Sequence, residues 1–230
     1  DTTAKIKEGS SMEEMNTTGI SGVVAAAPEK RNNLYGQPGI FTLWLDAERD
    51  SGVIDRVLVL FQEEKIEGES FNALPGDYFV PGDLAALIKP GSTIEVTGKV
   101  QTYKNAQTGK TQLFVWALYL AAVPENSQRL NTCYITGEVA RQPIYRATPR
   151  GIRITEIALR VPSAFSEGFY SFIPCITWDR LADDVAGLQE GQAVHIEGRI
   201  QQRTYRKTTE EGTRELSTWE VSVNKMNIAE

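Results

Sequence analysis

The chain is short of the groups that most chemistries need. Its 230 residues hold two cysteines, Cys133 and Cys175, and a single histidine, His195. A disulfide framework or a metal site would want more ligands at tighter spacing, so both thiols read as reduced and Cys175 as a small core residue in an apolar run. His195 alternates with Val194 and Ile196, which turns it outward, and no nucleophile or carboxylate pairs with it. No Gly-rich loop opens a helix to cradle a phosphate. An enzyme has little to stand on here, and no metal or cofactor is expected. No window reaches the apolar length of a membrane span, and residues 1–20 lack the apolar centre of a signal peptide. The expectation is a cytoplasmic protein with no membrane partner.

Positive charge is also in deficit, 24 Lys and Arg against 30 Asp and Glu, a net −6. That balance argues mildly against a nucleic-acid partner, but distribution matters more than the total. The deficit lies in residues 1–130, with 12 cations to 17 acids, whereas residues 131–230 carry 12 to 13. Within the second half, Gly191 to Lys207 (GQAVHIEGRIQQRTYRK) begins as an alternating strand and then becomes a run of cations with one ring. Arg199, Arg203, Tyr205, Arg206 and Lys207 follow one another with no acid between Glu197 and Glu210. Such a hairpin is either a solvated arm or a surface for a phosphodiester backbone and its bases.

The hydrophobic content of 41% is ordinary for a folded protein, and the strand patterns come in two copies. Residues 1–17 are polar and aperiodic, an expected flexible segment. Ile20-Ser-Gly22 and Pro28 recur as Ile135-Thr-Gly137 and Pro143 at a shift of 115; Ile94 to Val100 recurs as Val194 to Ile200 at a shift of 100. The charged, Gly/Pro-rich stretch 63–83 accommodates the difference. Phe114, Leu118 and Val123 then align with Trp219, Val223 and Ile228. Each copy reads strand, strand, strand, short helix, strand, hairpin, strand, the order of a five-stranded Greek-key OB barrel. A glycine in the first and fourth strands fits a small barrel, where strands bend sharply or approach closely. The expected architecture is all-β, two tandem OB folds, each with a short helix between strands three and four, over 18–124 and 132–230.

The second copy resembles the bacterial single-stranded DNA-binding protein family over nearly all of 132–230. Tyr134-Ile-Thr-Gly-Glu-Val is similar to the family's first strand, and Pro143-Ile-Tyr-Arg146-Ala-Thr148-Pro149-Arg-Gly151 to its Pro-x-x-Arg-x-Thr-Pro-x-Gly segment. Ile173 to Ala182 is similar to the third strand running into the helix, His195 to Tyr205 to the fourth strand with its basic-aromatic hairpin, and Trp219 to Met226 to the last strand. The two-barrel layout resembles tandem forms of that family.

The resemblance implies that single-stranded DNA is bound without strong sequence preference, in replication, repair or recombination. Bases would stack on Phe165, Phe172, Trp178 and Tyr205, with Arg180 and Arg203 as the family's cations; Arg199, Arg206 and Lys207 would add phosphate contacts. Pro174 departs from a usually basic or polar position, and the long hairpin is cut to about Ser163–Gly168. Strand alternation puts Phe172 and Trp178 on one face and Ile173 and Cys175 on the other, and leaves open which is core. Trp44, Trp116 and Trp219 lie in apolar alternation and read as core.

The first copy matches less well. Phe61 is expected in the place of Trp178 and Asp55 in that of Phe172, with Glu48 and Asp50 nearby; Lys99, Tyr103, Lys104 and Lys110 keep the hairpin chemistry. This copy is expected to bind weakly or to serve assembly. The resemblance further implies a homodimer of four barrels joined through strand one near Ile20 and Ile135; the family's acidic C-terminal docking tail is not matched by Lys225-Met-Asn-Ile-Ala-Glu230, so docking through such a tail is not expected. The alternatives are a protein-interaction platform, whose binding would be indifferent to salt, and RNA binding on the same face.

Overall fold

The computed structural model describes residues 15–31, 39–63, 84–104, 109–148, 150–164, 167–209 and 212–228, with the backbone alone at 84, 87, 206–209 and 214. The 63–83 stretch, but for its first residue, and most of the N-terminal segment lie outside these. The described part is mostly strand. In chain order it runs β1 (Asn16–Val24), β2 (Glu29–Arg31), β3 (Ile40–Glu48), β4 (Ile54–Gln62), a helical turn α1 (Leu84–Leu87), β5 (Thr93–Lys104) and β6 (Thr111–Ala122). The order then repeats as β7 (Asn131–Val139), β8 (Ile144–Ala147), β9 (Arg153–Pro162), β10 (Tyr170–Trp178), α2 (Asp179–Val185), β11 (Ala193–Thr209) and β12 (Gly212–Ile228). The expected helix is present as α2 in the second copy and reduced to one turn in the first. Each copy also adds a short edge strand, β2 or β8. Among the described residues no helix is long and apolar enough to cross a membrane.

The strands form two closed circuits that share an edge. In the first, β3, β4, β6, β5 and β1 pair in that order, and a β1–β3 pairing closes the ring; β9, β10, β12, β11 and β7 do the same, closed by β7–β9. Closure demands close backbone approach, and glycine stands where it happens. A Cβ on Gly22 would lie 2.8 Å from the Asp46 carbonyl oxygen, and one on Gly137 2.9 Å from that of Arg160. At Gly198, where a bulge shifts the β11–β12 register, a Cβ would meet the Ser222 carbonyl oxygen at 2.5 Å. Gly198→Ala is therefore expected to lower stability by about 1–3 kcal/mol, read by urea unfolding, because the obstacle is backbone that cannot step aside. A change below a few tenths of a kcal/mol would contradict it.

One large apolar cluster fills the inside of both rings, from Ile20, Leu43, Val57, Phe61 and Val96 to Ile135, Leu159, Ile173, Ile196 and Val221. Cys133 and Cys175 are free and buried within it, and burial pushes the Cys133 thiol up to about 12 and that of Cys175 well above its ordinary value. Asn16 and Asn131, 115 apart, each bracket a strand bend: Nδ2 donates to the Val100 or Ile200 carbonyl, and Oδ1 accepts from the same residue's N–H, all within 2.8–2.9 Å.

The rings join by antiparallel pairing of β1 with β7, with Thr18 opposite Cys133. Strand one of each copy is thus paired on both sides within one chain, and Ile20 and Ile135 are fully buried. This corrects the expectation that these residues meet a second chain: the tandem arrangement uses that edge internally. A second seam has approximate twofold character. The Thr102 N–H donates to Ser171 Oγ at 3.2 Å and the Gln202 N–H to Asp55 Oδ1 at 2.7 Å; the Phe172 N–H donates to Thr102 Oγ1 at 3.1 Å and the Arg56 N–H to Gln202 Oε1 at 3.3 Å. Trp44 and Trp219 pack at 6.2 Å between ring centroids across it, with Trp219 Nε1 donating to the Arg56 carbonyl at 2.6 Å. Both indoles are half-buried at the seam and pack against the apolar clusters; Trp116 is buried as expected.

Register corrects the alignment of the two copies. Val59 lies opposite Val115 and Cys175 opposite Val221, while Gly98 faces Ala117 and Gly198 faces Val223. The last strands therefore correspond at a shift of 106, placing Phe114 against Glu220, and β4 corresponds to β10 at 116. Gln62, not Phe61, takes the place of Trp178; Arg56, not Asp55, takes that of Phe172.

Candidate nucleic-acid interface

The candidate wall is the outer face of the second ring, and three strands build it. On β10 the inward side chains Ile173 and Cys175 are buried, which resolves the open parity and turns Tyr170, Phe172, Pro174 and Trp178 outward; Ile176, of the same parity, is covered. Phe172 is 51% exposed and Tyr170 53%. On β11 the inward series Val194, Ile196 and Ile200 is buried, so Arg199, Gln201, Arg203 and Tyr205 face out. On β12 the outward residues are Glu220 and Ser222.

Trp178 is held at the end of β10 by its Nε1, which donates to Ser222 Oγ at 3.1 Å. The chain turns sharply after it: Asp179 has φ 49°, the one non-glycine residue in the left-handed region among those described. Such strain persists where surrounding structure enforces it, often beside functional groups. Arg203 donates from Nε and its terminal nitrogen to the buried Glu220 carboxylate at 2.8 and 3.0 Å, with Glu156 at 3.7 Å, and the Glu220 hydrogen bond raises its pKa. Its guanidinium also lies over the Tyr205 ring, 5.7 Å from the centroid. Trp178 and Arg203 line one cleft, and Tyr205, 41% exposed, continues the wall from Arg203 along the hairpin.

The other second-copy candidates are less concentrated. Arg180 stands at the start of α2, almost fully exposed, with Asp184 at 3.8 Å as an ion-pair partner. Arg199 lines the cleft beside Trp178. Phe165 lies outside the described residues; Arg206 and Lys207 are on β11, but their side chains are outside them. One feature escaped the sequence reading. Arg160 lies over the Tyr170 ring at 5.2 Å and pairs with Glu138, extending the ringed surface beyond Phe172. The signal was present, since Tyr170 shares the parity of Phe172 and Trp178.

The first-copy candidates do not assemble a comparable wall. Phe61 is fully buried and stacks on Phe41 at 5.2 Å, because its parity on β4 is inward. Tyr103, half-buried, packs on Phe114 at 5.9 Å where the second copy has the Arg203–Glu220 pair. Lys99, Lys104 and Lys110 are exposed. The outward positions matching Pro174, Ile176, Glu220 and Ser222 hold Leu58, Leu60, Phe114 and Trp116, a second apolar cluster buried with Ile40. Nor does Asp55, expected in the place of Phe172, stand on this outer face. It is fully buried at the seam, and both its oxygens accept from Arg49 at 2.6 Å.

This wall and these rings define a class of protein that presents exposed aromatics and arginines on a small β-barrel-like circuit. Residues 130–229 match the model of the single-strand binding protein family. It is 36% identical over 81 residues to the single-stranded DNA-binding protein of Halalkalibacterium halodurans, covering 33% of this chain and 48% of that one. It is 33% identical over 94 residues to single-stranded DNA-binding protein 1 of Staphylococcus aureus, covering 39% and 55%. The chain thus spans about half the length of these relatives. Across both copies the fold is that of the single-stranded DNA binding protein from Thermus aquaticus, with a TM-score of 0.65 and 20% identity over 95% of each chain.

Proposed function

We propose that the protein binds single-stranded DNA without strong sequence preference, chiefly on the outer wall of its second ring. The observation that carries this is the continuous run Trp178, Arg203, Tyr205, where indole, guanidinium and phenol share one exposed surface. Bases stack on Trp178, Tyr205 and Phe172, with Phe165 and Tyr170 as further platforms; Arg180, Arg199, Arg203, Arg206 and Lys207 follow the phosphates. Such stacking tolerates any base, since each has a π face. Duplex binds far worse, its bases being already stacked on each other.

In this reading each circuit is an OB fold, the first over 18–124 and the second over 132–230. The first serves chiefly as scaffold, supported by the buried apolar character of its outer face. Two chains assemble into a four-barrel homodimer through a surface other than the β1–β7 edge, which a light-scattering mass of two chains would support and a mass of one would refute. Function is tested by intrinsic tryptophan fluorescence titrated with oligo-dT at two salt concentrations. The expected result is saturable binding that weakens steeply as salt rises, with duplex a poor competitor. Salt-indifferent binding would favour an apolar protein partner, and preference for oligo-U would redirect the reading to RNA.

A further inference from the structure

A cleft of about 500 Å³ opens where the two rings meet, and both contribute to it. Arg49 and Val53 come from the β3–β4 turn of the first ring; Trp178, Arg199 and Arg203 come from the second. The charges at its floor do not balance. Asp55 is fully buried and accepts three hydrogen bonds, from Arg49 Nε and a terminal nitrogen at 2.6 Å each and from the Gln202 N–H at 2.7 Å. Arg199 Nη1 stands 3.8 Å from Asp55 Oδ2, beyond hydrogen-bond reach, and is buried with no hydrogen-bond partner. Two guanidinium groups thus face one carboxylate. Half-burial first, and then the Arg49 charge, lower the Arg199 pKa against the opposing pull of Asp55.

A half-buried cation with an unused donor, beside a second cation, is an anion site in waiting. Arg199 is 38% exposed, and no hydrogen bond ties Nη1 down, so a turn of its terminal torsions offers that N–H to the cleft. We propose that Arg49 and Arg199 form a phosphate seat at the junction of the two rings, taking one phosphodiester of a strand whose neighbouring base lies on Trp178. The proposal rests on the single-stranded DNA reading and adds that the strand touches both rings at once. Among the described residues the seat does not recur at the equivalent position. In the equivalent seam position Ser171 replaces Asp55 and Lys99 replaces Arg199, so neither the carboxylate nor the second guanidinium recurs.

The test is the salt dependence of oligo-dT affinity in the full chain. Each lost phosphate contact to a single strand lowers the slope of log affinity against log salt by about 0.7. Arg199→Gln is expected to lose that increment and Arg199→Lys to keep it, with unfolding midpoints close to the parent. Arg49→Gln combined with Asp55→Asn removes one cation and one carboxylate together and should also lose slope. Lys225→Gln, an exposed cation on β12 outside the cleft, should leave it unchanged. An unchanged slope in Arg199→Gln overturns the seat while leaving the DNA reading intact. An unchanged slope in the double variant alone overturns the role of the first ring, and an equal loss in Lys225→Gln reduces the effect to the general field. A parent protein that fails to bind oligo-dT at all overturns both.

Discussion

Replacing Trp178 and Tyr205 together by alanine is expected to weaken oligo-dT binding by more than about a hundredfold, measured by fluorescence anisotropy of a labelled strand. Each stacked base contributes roughly 1–3 kcal/mol, and two such losses near the middle of that range exceed two decades of affinity. The two rings sit on different strands and make no direct ring contact given by the geometry; both approach Arg203, through the shared cleft and the cation–π contact respectively. Departure from additivity would therefore report on Arg203 as the common neighbour. Trp178→Phe with Tyr205→Phe is expected to retain most binding, since a flat ring is what the base needs. The phenylalanine at 178 loses the bond to Ser222, which tethers the indole without creating its π face. Parent-like affinity in the double alanine variant would refute the platform.

The largest stability effect is expected at Asp55. Asp55→Ala removes a fully buried carboxylate and leaves Arg49 and Arg199 facing one another, with the Gln202 N–H unpaired. Breaking one partner out of a buried ion pair typically costs about 3–5 kcal/mol, because the remaining charge stays desolvated. Arg49 retains some access to water, so the lower end of that range applies; urea unfolding reads it as a shift of the midpoint. Asp55→Asn should lose less, since an amide oxygen still accepts from Gln202. A loss under about 1 kcal/mol for the alanine variant would show that the seam does not depend on this carboxylate.

Much of the architecture was legible because the two copies carry the same devices. The recurring glycines of strands one and four stand where backbone passes backbone, and the shifts of 115 and 100 follow from them. The exposure of Tyr205 was legible too, since it follows the end of the buried pattern among cations. Phe61 was not. Val57 to Phe61 is buried on both sides, so alternation carries no face information there, and an offset of one residue reverses inside and outside. Only the long-range pairing of Val59 with Val115 sets that parity. The same slip gave Asp55 the place of the exposed Phe172, when it lies buried in the seam against a residue 147 positions away.

What the sequence determined by itself was the inventory: two strand-rich copies, the glycines that let each close, and a basic, ringed hairpin in the second. Local patterning is enough for these because each depends on side chains within one strand or turn. Only the tertiary structure decided which faces are wet, that strand one of each copy pairs with the other inside one chain, and that Arg49 reaches the second ring's cleft. Those outcomes depend on register and closure between strands up to a hundred residues or more apart, where period-two patterns are degenerate and packing alone chooses.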